Sequence, residues 1–219
     1  MSDLLQFWLE NLPAMIDGLF VSLEVTAVAL LIGLPLGLSF ALGVQSRSWA
    51  IQWLSLACVE IGRGAPALIL LQFAYFGLPS AGLSLSSFTA ASLALARTTS
   101  AYTSEIIRAG LQAVPHGQKE AAIAVGFSYL DGLRYVIIPQ GMRIALPALL
   151  GFATTMLQAT SLCFTIALPE LLSQAYMIGT STFEYMSILG LAAILYAAIC
   201  IPATLAVGGL ERRLSRHIA

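Results

Sequence analysis

Charge is what this sequence has least of. Only 10% of its 219 residues are Asp, Glu, Lys or Arg. A soluble domain averages roughly 25%, so the composition points to a membrane protein. Net charge is −1 and no block of like charge occurs, which removes the electrostatic footing of a nucleic-acid partner. Catalytic patterns are missing as well. There is no His-Glu-x-x-His, no Gly-x-Ser-x-Gly and no P-loop, so the chain has no ATP-hydrolysing site of its own and an intramembrane enzyme is disfavoured. His116 and His217 read as solvated side chains. Cys58, Cys163 and Cys200 sit in apolar runs without Cys-x-x-Cys spacing, the pattern of packing thiols rather than of a disulfide or a metal site. No Lys or Arg precedes Arg47, so the N-terminus lacks the basic region of a cleavable signal peptide. No internal repeat of about 20–50 residues is found.

What the chain does have is apolar length. Hydrophobic residues make up 58% of it and the mean hydropathy is +0.88. A hydrocarbon core about 30 Å thick needs about 20 helical residues. Residues 27–44 (with a turn or two before them), 49–78, 85–114, 144–169 and 185–210 meet that need, and Glu211, Arg212 and Arg213 close the last span. The expected fold is an all-α, polytopic membrane protein with five transmembrane helices, a single domain over residues 1–219. Leu4, Leu5, Trp8, Leu9 and Leu12 recur at helical spacing before the first span. They predict either an interfacial helix over residues 1–16 or a simple lead-in. Gly33, Pro35, Gly37 and Gly43 in the first span allow another helix to approach closely.

Five spans place the chain ends on opposite sides. Arg47, Lys119, Arg134, Arg143, Arg212, Arg213 and Arg216 fall in or beside one set of loops, while 79–84 and 170–184 have none. Basic loops stay in the cytoplasm, so the N-terminus is expected outside and the C-terminus inside.

Charges at membrane depth are costly and mark functional candidates. The set is Glu60, Arg63, Arg97, Glu105 and Arg108. Glu60 and Arg63 lie three apart, as do Glu105 and Arg108, a spacing that permits ion pairs. For Arg63, lining of a path weighs evenly against pairing with Glu60. Arg97 has no partner at helical spacing and is expected to face a polar cavity or another subunit. There its planar fork could take both oxygens of a substrate carboxylate. Gln158, Thr160 and Ser161 add neutral donors in the fourth span, although Thr and Ser also bond their own helix carbonyls.

The most polar interior stretch is 118–147. Glu120, Ala121 and Ala122 start a short helix, Gly126 suits a sharp turn, and Val136 to Pro139 are expected to end a second helix. The order is Glu-Ala-Ala, three residues, Gly, nine residues, then Val-x-Ile-Pro. It resembles the EAA loop of permease subunits of binding-protein-dependent ABC importers. The flanks, 113–118 and 139–147, are similar to those of the polar amino acid permeases of the histidine, arginine and glutamine type. Gly62-Arg63-Gly64-Ala65-Pro66 and Tyr75-Phe76-Gly77-Leu78-Pro79 resemble two further signatures of that family. The likeness spans nearly the whole chain.

The resemblance implies a coupling loop at about 115–139. Through it Glu120, Ala121, Ala122 and Gly126 would dock on a separate ATPase subunit, which binds the ATP and Mg. It also implies a second permease chain, identical or homologous, two ATPase subunits, a soluble extracytoplasmic binding protein and the bacterial inner membrane. No cofactor or metal is expected in this chain. Two places depart from the family pattern. Gln158-Ala159 stands where a Lys-Asp or similar pair is common, and Gly151-Phe152 where Asn-Glu is common. They point to a different ligand, or to a partner permease that carries the main site. Import of a polar amino acid is the leading reading. Import of another small polar solute, such as an opine or a polyamine, and a non-transporting membrane scaffold are the rivals.

Overall fold

The structure is a computed structural model that describes residues 2–215. Arg216 and His217 lie outside the described residues. Nine α-helices follow one another without a strand among the described residues: α1 Ser2–Val44, α2 Trp49–Gly64, α3 Ala67–Gln72, α4 Ser87–Gln112, α5 His116–Ala124, α6 Tyr129–Gly132, α7 Ile138–Ala159, α8 Leu171–Thr182 and α9 Tyr185–Ser215. The all-α expectation holds.

The N-terminal stretch corrects the expectation of a separate surface helix. α1 is one helix of 43 residues with Pro13 and Pro35 inside it. At 1.5 Å per residue it is about 65 Å long, twice the hydrocarbon thickness. Its first part packs on protein: Met15 is fully buried with Leu171 and Ala175 of α8 and Ile188 of α9, and Trp8 joins them. The Trp8 indole donates to the Ser187 carbonyl and hydroxyl oxygens, each at 3.1 Å. Burial against two helices keeps this first part of α1 continuous with the span that follows.

Among the described residues, three helical runs are long and apolar enough to cross a bilayer: Asp3–Val44, Tyr129–Ile166 and Tyr185–Arg212. A fourth, the expected second span, is broken. Trp49–Gly64 and Ala67–Ala81 meet at 99°, a sharper break than a proline kink. Pro66 has no N–H to give and keeps Ala65 extended (φ −83°, ψ 126°). α4 has 26 residues, about 39 Å, but its Arg, Glu, Ser and Thr content makes it less apolar than those runs. It packs against α1, α2 and α7, and its Thr98, Thr103 and Ser104 hydroxyls donate to carbonyls of its own helix.

The fourth expected span begins earlier than residue 144. Pro139 does not end a helix. α6 passes into α7 through a widened π-turn, Leu133–Ile137, in which the Ile138 N–H donates to the Leu133 carbonyl. A second π-turn, Phe73–Gly77, precedes Pro79 in the same register. A proline clashes with the carbonyl four residues back. Widening the preceding turn moves that carbonyl away, so the helix survives.

Three apolar clusters of described residues fill the bundle. Val25, Leu71, Leu95, Cys163 and Ile166 form one. Ala41, Ile107, Leu111, Ile137 and Leu149 form another beside the coupling loop. The third joins α1, α8 and α9. Cys163 and Cys200 are buried and all three cysteines are free, in keeping with packing thiols.

Candidate functional site

Gln118 to Pro139 folds as a knob at the basic end of the bundle. α5 ends in a Schellman motif: the Gly126 N–H donates to the Ile123 carbonyl and the Phe127 N–H to the Ala122 carbonyl, both at 3.0 Å. Gly126 has φ +85°, the left-handed region that favours glycine. The bend predicted from the sequence is therefore present. Ser128 then caps α6 by accepting from the Asp131 N–H at 3.2 Å. Gln140 on α7 donates to Gln118 on α5 at 3.1 Å, which pins the knob to the longer helix.

The four coupling candidates face different ways. Glu120 and Ala121 are exposed, and Glu120 lies 3.1 Å from the His116 ring. Ala122 is buried against α6, where it faces Gly132. The outer face carries Ile123 and Val125, each 73% exposed, with Phe127 and Tyr129 beside them. Apolar side chains so exposed on a short, well-capped helix suit a partner protein. Behind α5 lies a cavity of about 340 Å³, lined by Leu42, Leu111, Phe127 and Leu133, with Gln45 and Lys119 adding polar groups. Arg47, in the α1–α2 loop, sits 5.4 Å from the centroid of the Tyr129 ring. The Arg47 loop and the coupling loop thus share one side of the molecule, as the charge rule required.

The membrane-depth candidates are not gathered in one place. Arg63 pairs with Glu60 at 3.5 Å on an exposed face of α2. Glu105 and Arg108 pair on α4, with Arg108 Nε 3.2 Å from Glu105 Oε1. Both pairs follow their spacing in sequence. Arg97 reaches from α4 to α2, where it donates to the Cys58 carbonyl. Thr160 is buried and donates to the Leu157 carbonyl at 2.6 Å, and Ser161 donates to the Gln158 carbonyl at 2.7 Å. Their donors are spent on their own helix, while Gln158 is exposed. No group of three or more His, Cys, Asp or Glu able to hold a metal occurs among the described residues.

One functional-looking residue escaped the sequence reading. Glu170 is 0% exposed and caps α8. Its Oε1 accepts from the Ser173 N–H at 2.8 Å, and its Oε2 from the Leu172 N–H at 2.9 Å and the Tyr196 hydroxyl at 3.2 Å. Ser22 on α1 accepts from the Leu171 N–H at 3.3 Å. One carboxyl group thus ties the start of α8 to α9 at the point where α8 meets α1. Glu170→Ala removes an N-cap, worth about 1 kcal/mol, and strands buried donors at about 1–3 kcal/mol each. We expect a clearly lowered melting temperature in detergent, and a smaller loss for Glu170→Gln. An unchanged melting temperature for the alanine variant would show that the cap contributes nothing. The sequence offered no ordinary start signal for this cap, because Ser, Thr, Asp or Asn with Glu three residues on is the usual pattern and Glu170 with Ser173 reverses it.

Comparison with known proteins agrees with this geometry. Residues 33–216 match the family described as binding-protein-dependent transport system inner membrane component. The probable amino-acid ABC transporter permease protein YckA of Bacillus subtilis is 35% identical over 96% of this chain and 93% of its own length. The arginine transport system permease protein ArtQ of the same organism is 32% identical over 94% of this chain and 95% of its own. A crystal structure of an amino acid ABC transporter with histidines superposes with a TM-score of 0.88 at 36% identity, covering 95% of this chain and 97% of that one. The MetNI methionine transporter, at 21% identity and a TM-score of 0.70, shares the fold. The chain belongs to the inner membrane component family of binding-protein-dependent transport systems.

Proposed function

We propose that this chain is the permease subunit of an ABC importer for a polar amino acid. The observation that carries this reading is the α5 knob: a capped helix with an exposed apolar face, held beneath the bundle at its basic end. Such a knob transmits force only if another protein grips it. The grip comes from a separate ATPase subunit, two per complex, which binds ATP and Mg. Glu120, Ala121 and the Gly126 bend meet that subunit, and Ala122 seats the knob on α6. A second permease chain completes the path, and an extracytoplasmic binding protein delivers the solute. The chain lies in the bacterial inner membrane with its N-terminus outside, and α4 is the remaining span. Gln158 and Arg63 are the exposed candidates for the substrate path, Ser161 is half-buried and keeps acceptor capacity, and Thr160 and Arg97 support the helices that carry them.

A second reading, import of another small polar solute, is favoured by one feature. The α7 face has Gly151-Phe152 and Gln158-Ala159, uncharged where the family pattern is polar. The test is uptake of radiolabelled amino acids into liposomes holding the co-expressed complex. ATP-dependent uptake that requires the binding protein is expected. Uptake of opines or polyamines alone would select the second reading, and no ATPase stimulation by any binding protein would leave a scaffold. Lys119→Cys, on a Cys-free background, is expected to stay unlabelled by an impermeant reagent in intact cells; labelling there reverses the orientation.

A further inference from the structure

Arg97 sits half-buried on α4 and its guanidinium rests on α2. One terminal nitrogen donates to the Cys58 carbonyl. The Phe40 ring of α1 lies below, with its centroid 6.0 Å from the guanidinium carbon. The other terminal nitrogen is buried and has no hydrogen-bond partner among the described residues. It lies against Gly62, where an added Cβ would overlap it and come within 2.7 Å of the Ala101 Cβ. The guanidinium therefore occupies a seat that only glycine leaves open. The seat is at the C-terminal end of α2, where the helix dipole favours a cation. Farther along α4, the Tyr102 hydroxyl donates to the Arg63 carbonyl at 3.5 Å.

α4 thus holds the end of α2 at two points, immediately before the 99° break. On the far side of the break, Leu71 of α3 is fully buried with Ala90, Ala91 and Ala94 of the same α4. Pro66 requires that the helix stop, but it does not set the angle. What sets it is how α4 grips the two halves. We propose that Arg97 is a positioning residue, a clasp that seats the end of α2 on α4 and so fixes the α2–α3 bend during transport. The inference rests on the permease reading above. The clasp makes one charge-assisted bond, and such bonds are strong. It leaves its other arm unpaired, which is costly when buried. That balance lets the clasp open when α2 moves. In this conformation a substrate carboxylate cannot touch the buried arm, because Gly62 covers it.

The test uses the assembled complex with spin labels at Leu54 and Phe76, both exposed, on a Cys-free background. Distances come from pulsed electron paramagnetic resonance, and uptake and ATP hydrolysis are measured in liposomes. Arg97→Gln and Gly62→Ala are both expected to broaden the distance across the bend. Each should lower solute moved per ATP by about fivefold, the lower end of ordinary coupling energies, with KM unchanged. The double variant should be no worse than either alone, since both empty one seat. Arg97→Lys should restore a narrow distance, because an ammonium can still reach one carbonyl. If Gly62→Ala leaves distance and uptake unaltered while Arg97→Gln raises KM, Arg97 is a substrate contact and the clasp is overturned. Distances unmoved by every variant overturn it too. The failure of the permease reading is separable: no ATP-driven uptake of any solute by the wild type, while the distances still report on the clasp.

Discussion

Gly126→Val is expected to cut uptake by about tenfold or more while the chain still inserts and its helical content is unchanged. The cause is backbone conformation alone. Gly126 has φ +85°, and nothing lies within 4 Å of where its Cβ would stand, so there is room for the side chain but not for the torsion. An L-residue in the left-handed region loses about 1–2 kcal/mol, and a β-branched one is a clear outlier there. A penalty of about 1.4 kcal/mol is a tenfold change in population. The chain relieves it by giving up the two bonds that close α5, and Ile123, Val125 and Phe127 then lose their fixed relation to α7. Pull-down of the ATPase subunit should weaken in parallel with uptake. Gly126→Asn is the control, because Asn tolerates the left-handed region and no neighbour obstructs it; it should transport nearly normally. Normal uptake by the valine variant would remove the coupling role of the bend.

That bend could be read from sequence because it is local. A glycine just past a short helix suits a left-handed close, and the ion pairs Glu60–Arg63 and Glu105–Arg108 follow from helical spacing in the same way. The failures are non-local or depend on alternatives of similar local energy. Pro139 signals a stop, and only the turn before it reveals that the helix widens and continues. Pro13 gives no hint that α1 continues through it, since the support comes from Met15 packing on helices far along the chain. The seat of Arg97 belongs to Gly62, 35 positions upstream, and its capture there is a tertiary event. Glu170 was hidden for another reason. A carboxylate in a loop without basic residues reads as solvated, whereas burial under α1 and α9 makes it a cap.

Gly37→Leu should have the largest effect on the molecule itself. α1 and α4 share the most extensive contact in the bundle, and Gly33 and Gly37 lie one turn apart along it. A Cβ at Gly33 would stand 2.5 Å from the Thr99 Cβ and 3.0 Å from the Ala96 carbonyl oxygen. One at Gly37 would stand 3.2 Å from the Ser100 carbonyl oxygen and from the Ser104 nitrogen, and would collide with the Thr103 hydroxyl. The Thr103 hydroxyl donates to the Thr99 carbonyl at 2.7 Å, so it cannot swing aside without losing that bond. Small residues on both helices bring backbone onto backbone, which is how helices associate where no hydrophobic force separates protein from lipid. Overpacking usually costs about 1–3 kcal/mol, and here the obstruction includes backbone that no rotamer change can move. Gly37→Leu is therefore expected to leave little chain in the membrane fraction, and that little should elute broadly in size-exclusion chromatography. Gly33→Ala should lower the melting temperature without abolishing expression, and Thr99→Ala beside it should recover part of the loss by removing a methyl from the collision. Gly208→Ala, where nothing lies within 4 Å, should behave as wild type. If Gly37→Leu purifies with the wild-type melting temperature, the two helices are not held by backbone approach, and the small residues facing each other on α1 and α4 have no part in assembling the bundle.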